Sequence, residues 1–157
     1  MRLLHSMRRE TFEPFLALAI ETYASDSVAV GQWGSEEAAE LARAETRSLL
    51  PNGIDTKGHF LFELIPEEVQ TTVGYLWFST LHRGVRTVAH VYLVHVLEGY
   101  RRRGYARAAL LEAEHLARQS GHDCVTLNVF ANNAGARALY ESLGYETLRL
   151  NLAKDLP

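Results

Sequence analysis

Apolar residues recur at spacings of three and four between positions 11 and 24. There Phe12, Phe15, Leu16, Ala19, Ile20 and Tyr23 line one side of a predicted helix. Pro14 falls in its first turn, where a missing N–H costs nothing. A second helix is predicted from Ser35, whose hydroxyl can cap the first turn beside Glu36 and Glu37, to about Leu50, where Pro51 stops it. After the loop at positions 51–58 the period shortens. Residues 59–65 and 72–79 are rich in aromatic and branched side chains and flank Pro66-Glu67-Glu68, the pattern of an antiparallel pair. A third strand, 85–96, follows the turn at His82-Arg83-Gly84, and its continuous apolar run predicts a central position.

The helical period returns after Gly104, with Ala106, Ala109, Leu110, Ala113, Leu116 and Ala117 on one face and Glu114 paired with Arg118 on the other. Gly121 ends that helix. Residues 124–130 read as a strand. Residues 133–143 read as a helix with Ala136, Leu139, Tyr140 and Leu143 on one side and Gly144 as its stop. Residues 145–152 alternate strictly, Leu148, Leu150 and Leu152 against Thr147, Arg149 and Asn151, and read as a last strand. With a short strand at 2–5 the order is β-α-α-β-β-β-α-β-α-β, an α+β sandwich of helices on a mixed sheet. No repeat or linker divides residues 1–157, so one domain is expected.

Composition narrows the function. The 157 residues are 47% hydrophobic and 22% charged, with a net charge of −3, so a packed core is expected and no global positive charge draws the chain to nucleic acid or anionic lipid. No apolar stretch approaches the roughly 20 residues of a membrane helix, and the first residues lack an apolar leader core; a cytoplasmic protein without a membrane partner is expected. The single cysteine, Cys124, can make neither an internal disulfide nor a thiolate zinc site. The seven histidines contain no His-x-x-x-His pair. On a regular strand His90 and His95 point to opposite faces, so no metal is expected.

Candidate chemistry concentrates where the third strand meets the following helix, in Val94-His95-Val96-Leu97-Glu98-Gly99-Tyr100-Arg101-Arg102-Arg103-Gly104-Tyr105-Ala106. The first N–H groups of a helix have no intrahelical acceptor, and the helix dipole is positive there. Gly104 and Ala106 leave the backbone open to an anion, and neighbouring arginines add charge. Neither a P-loop nor a dinucleotide fingerprint is present, so nucleotide hydrolysis and hydride transfer lose their usual signals.

Arg101-Arg102-Arg103-Gly104-Tyr105-Ala106 resembles the Arg/Gln-x-x-Gly-x-Gly/Ala motif of the GNAT superfamily of N-acetyltransferases. A second likeness runs from Asn128 through Asn133, Ala136, Leu139 and Tyr140 to Gly144-Tyr145. The resemblance implies a mostly antiparallel sheet of six to seven strands flanked by about four helices, with a splayed parallel strand pair. It implies acetyl-CoA as co-substrate, bound through backbone groups of Val94 and Val96 and through Arg101, Arg102, Arg103, Gly104, Tyr105, Ala106 and Arg107, with Asn128, Asn133 and Tyr140 near the cofactor arm. The acceptor it implies is a primary amine of a small molecule or peptide, attacking directly in a ternary complex; a homodimer is a further possibility.

Such a reaction needs a proton acceptor for the amine, a donor to the oxyanion and a proton for the departing thiolate. Tyr140 stands at the family's thiolate-protonating position. His95 stands where many relatives carry a Glu base, and Glu98 or water are alternatives. The segment Val30-Gly31-Gln32-Trp33-Gly34 is expected to touch the acceptor, and Tyr75 and Trp77 are expected in either the pocket or the core. The alternative function is an acyl-CoA-binding sensor or partner module without turnover.

Overall fold

The computed structural model describes residues 2–157. Five strands form one sheet in chain order: β1 (Leu4–Ser6), β2 (His59–Leu64), β3 (Gly74–Arg83), β4 (Arg86–Val96) and β5 (Cys124–Leu127). The first four pair antiparallel, and β5 joins β4 in parallel. Four helices accompany them: α1 (Arg9–Ala29), α2 (Ala38–Leu49), α3 (Tyr105–Gln119) and α4 (Ala134–Ser142). The fold is the mixed α+β arrangement expected from the sequence, with the helix count and the parallel pair as expected.

Each face of the sheet buries a separate core. On one, Phe15, Leu16 and Ala19 of α1 and Ala38 and Ala42 of α2 meet Leu61, Tyr75 and Trp77. Phe15 is fully buried, with its ring edge-on to Tyr75 and Trp77 at centroid distances of 5.7 and 6.0 Å. Tyr75 and Trp77 are therefore core residues. On the other face Ala109, Ala113 and Ala117 of α3 lie against Leu4, Leu64, Leu76, Phe78, Ala89 and Val91. Small side chains on α3 let helix and sheet approach closely, and the Glu112 carboxylate ties the helix to β1 by accepting the N–H groups of Leu3 and Leu4.

One carboxylate lies wholly inside. Glu63 on β2 accepts hydrogen bonds from the Arg8 N–H, the Arg8 guanidinium and the Thr72 hydroxyl. Burial alone would raise its pKa. The Arg8 and Thr72 hydrogen bonds and the Arg8 charge outweigh that and hold it at about 2.

Three expectations change. Helix α2 starts at Ala38, because Gly34 to Glu37 form a turn in which the Glu37 carboxylate, not Ser35, accepts the Gly34 N–H. The sheet has five strands among the described residues, not six or seven. Residues 145–152 keep their alternation but form no strand: among the described residues the chain beyond Tyr145 makes no hydrogen bond to the rest of the molecule, and a strand exists only with a partner. The third change, in β4, shapes the candidate site.

Candidate active site

The parallel β4–β5 ladder runs from Val88 opposite Cys124 to Val91 opposite Leu127 and stops there. At that point β4 carries an extra residue. Trp77 of β3 faces Leu93 while Phe78 faces Val91, which leaves Tyr92 as a bulge, its ring stacked on Trp77 at 4.6 Å. A bulge bends and twists its strand, and beyond it β4 continues along β3 while β5 gives way to a loop. A wedge opens between them.

The bulge also shifts the alternation of side chains. His90 faces Ser79 and His95 faces Tyr75, and these two β3 residues share a face. His90 and His95 therefore share a face too, contrary to the expectation from regular alternation. About four residues of extended chain, roughly 13 Å, still separate them. Among the described residues no cluster of three or more His, Cys, Asp or Glu could hold a metal ion.

Backbone groups line the wedge. The Leu97 N–H bonds the Val73 carbonyl at 2.8 Å, which sets the phase of the ladder and turns the Val94 and Val96 backbone away from β3. No residue of β5 stands opposite them. The Val96 carbonyl accepts the Arg101 Nε at 3.0 Å, so that side chain closes the end of the strand. Gly74 makes this close packing possible, since a Cβ there would collide with the His95 carbonyl oxygen.

At the mouth of the wedge the chain winds into α3. Arg102 and Gly104 both adopt left-handed backbone, with φ of 64° and 84°. The Ala108 N–H is the first of the helix to find an acceptor, the Gly104 carbonyl. The six N–H groups of residues 102–107 have none within the described chain. A helix start leaves about three or four such donors free; the left-handed turn adds more, forming a backbone nest for an anion. The side chains pack around it: Arg103 lies over the Tyr100 ring and bonds the Gly99 carbonyl, the Tyr105 hydroxyl donates to Glu68, and Arg107 donates to the Ser142 hydroxyl of α4. Ala106 adds no bulk.

His95 sits past the bulge on the face toward α1, half-buried, with no hydrogen bond to its ring among the described residues. Burial, then the charge of Arg101, lowers its pKa, and Asp26 at the end of α1 opposes that. Asp26 is itself raised by partial burial and pulled back by His95. Asp26 also lines a pocket of about 240 Å³ with Ala29, Phe130, Asn132 and Asn133. The end of α1, the end of β4 and the loop before α4 thus converge. Asp26 is the titratable residue of this pocket, and the sequence alone does not single it out.

Asn133 caps α4, its Oδ1 accepting the Ala136 N–H at 3.1 Å; its amide nitrogen remains a free donor. Asn128 lies exposed just past β5. Tyr140 is half-buried on α4, its ring 5.8 Å from that of Tyr145, and its hydroxyl has no partner in the described chain. Burial raises its pKa, so the phenol stays protonated. Glu98 is exposed on a single 3-10 turn, and Trp33, in the loop after α1, packs on Tyr23 at 5.0 Å.

The chain as a whole has counterparts among known proteins. Residues 16–145 match the family described as Acetyltransferase (GNAT) family. Over 154 residues the chain is 34% identical to the uncharacterized N-acetyltransferase YycN of Bacillus subtilis (strain 168), covering 98% of each. It is 28% identical over 153 residues to YdgE of the same organism, also an uncharacterized N-acetyltransferase, covering 98% of this chain and 97% of that one. The crystal structure of YycN superposes with a TM-score of 0.93, over 99% of this chain and 98% of that one. Among the described residues, no helix is long and apolar enough to cross a membrane. Sequence and fold agree along almost the full chain: it belongs to the GNAT family of acetyltransferases.

Proposed function

We propose that the chain moves an acetyl group from acetyl-CoA to a primary amine, on a small molecule or a peptide, by direct attack in a ternary complex. The observation that carries this reading is the run of six free N–H groups at residues 102–107 beside the unpaired β4 edge. Together they fit a ligand with a diphosphate at one end and an amide-bearing arm at the other. The nest would hold the diphosphate, with Arg101, Arg102, Arg103 and Arg107 supplying charge around it. The Val94 and Val96 backbone would pair with the arm as an added strand does, and the Asn128 and Asn133 side chains are donors at its far side.

When bound, the thioester supplies an acyl carbon open to attack. The amine nitrogen forms the new C–N bond as the C–S bond breaks. His95, held neutral by burial and Arg101, accepts the amine's proton. A β4 backbone N–H facing the wedge donates to the carbonyl oxygen. Tyr140, kept protonated by burial, gives its proton to the departing sulfur. Asp26, beside the pocket, attracts a cationic amine and steadies the imidazolium that forms at His95.

Calorimetric titration with acetyl-CoA tests the binding half, with saturable binding expected that weakens at least tenfold in Gly104→Val. A panel of amines followed by thiol release tests turnover. Binding with no thiol release for any amine would leave a sensor without turnover, and no binding at all would remove the reading.

A further inference from the structure

The pocket of about 240 Å³ at the end of α1 contains one charged group, Asp26, among Ala29, Phe130, Asn132 and Asn133. Asp26 lies in the last turn of α1, which carries no basic residue. The carbonyl end of a helix is the negative end of its dipole, so a carboxylate there is unfavourable and a cation is favoured. Asp26 joins no ion pair among the described residues, and the Ala29 carbonyl accepts no backbone hydrogen bond from them. Asn132 adds a side-chain amide whose oxygen accepts, and Phe130 adds an aromatic wall, a surface that attracts cations. Asn133 contributes less, because its Oδ1 already caps α4. Carboxylate, helix end, amide and ring all favour a positive charge, and no lysine, arginine or histidine lines the pocket to supply it.

The charge that fits is not the one on the reacting nitrogen. That nitrogen attacks only after it has given up a proton to His95, and a carboxylate beside it holds the ammonium form. An attraction that persists unchanged through the reaction binds substrate and transition state alike, and so suits a charge that the acceptor keeps. The volume agrees. It lies below the roughly 300–1,000 Å³ of a pocket for a whole small ligand. One end of an acceptor fills it while the other end reaches His95, whose charge acts on Asp26.

We infer that this pocket holds a second cationic group of the acceptor, so that the chain favours small diamines over amines of single charge. One nitrogen forms the C–N bond and passes its proton to His95, while the CoA sulfur leaves with the proton of Tyr140. The other nitrogen stays protonated against Asp26 throughout. The charge preference rests on the residues of the pocket; that its occupant is the acceptor rests on the acyl-transfer reading.

Three probes separate charge from length: 1,4-diaminobutane, butylamine and 4-aminobutan-1-ol. Isotope-labelled protein in the presence of CoA, which has no acyl group to transfer, is titrated with each and followed by amide NMR. The diamine should bind about tenfold tighter than either monocation, with shifts centred on Asp26, Ala29, Phe130 and Asn132. Asp26→Asn should erase that preference. Glu146→Gln, an equal change of net charge at an exposed carboxylate of the tail, should keep it. Should Asp26→Asn fail to fold, the shifts of the wild-type protein decide. In turnover followed by thiol release, the diamine should show the highest kcat/KM, and Asp26→Asn should raise its KM. Equal binding of the three probes, shifts centred elsewhere, or a preference that survives Asp26→Asn would each overturn the pocket. A diamine preference in binding with no thiol release from any amine would strike the acyl-transfer reading and leave the cation site standing.

Discussion

A substrate ammonium must lose a proton before its nitrogen can attack, and His95 can take that proton only while the imidazole is itself neutral. Burial and Arg101 favour that neutral form, and Asp26 tempers them. In the proposed reaction, kcat at saturating amine should therefore rise with pH through an inflection below 6.5, the ordinary histidine value, and stay level above it. His95→Gln should remove the inflection together with about 10²- to 10⁴-fold of rate; a pH–rate profile of both proteins checks it. Tyr140→Phe removes only an O–H from a half-buried ring. A fall in kcat of about 10²-fold, with KM for acetyl-CoA unchanged, is the expected signature of a proton donor. Steady-state kinetics distinguish that from a packing role, which would leave both constants near wild type.

Among the elements, β4 carries the site, and Gly74 on β3 governs how β4 lies. Gly74→Ala would drive a methyl group into the His95 carbonyl oxygen. The strand must shift, at a cost of about 1–3 kcal/mol, so a lower urea midpoint together with impaired turnover is expected. Periodicity made most of the elements legible, because the stripes on α1 and α3 and the alternation in β2 and β3 are written in consecutive residues. The bulge was not. Val91, Tyr92, Leu93 and Val94 are all apolar, and a run with no polar side shows no phase that a slip could disturb. Asp26 was hidden for another reason. On its helix it is an ordinary polar-face residue, and only the tertiary fold brings its charge to His95. The last predicted strand shows the opposite failure: alternation states a preference for pairing, yet residues 145–152 pair with no strand of the sheet.

At the scale of the whole molecule, Glu63 joins the start of α1 to the sheet. Its folded pKa of about 2 lies below the ordinary carboxylate value. The stability it contributes is fully present above pH ~4.5 and is lost as pH falls towards ~2. Arg8 is 56% exposed at its side chain, so solvent screens the pair, and a contribution of about 2–3 kcal/mol is expected. Glu63→Gln should lower stability by about that amount near neutral pH, with the gap to wild type closing in acid. Urea unfolding of the two proteins at neutral and acid pH measures it.

The nest at the start of α3 is made of main chain, and that has an evolutionary consequence. Side-chain replacement cannot delete a peptide amide, so substitutions at the three consecutive arginines change the charge around the nest and leave its main-chain donors in place. Selection would bear instead on the path of the chain, above all at Gly104, where a left-handed turn is disfavoured for any residue with a Cβ. In a library randomised from position 101 to 104, the fourth position should be the most restricted among surviving clones.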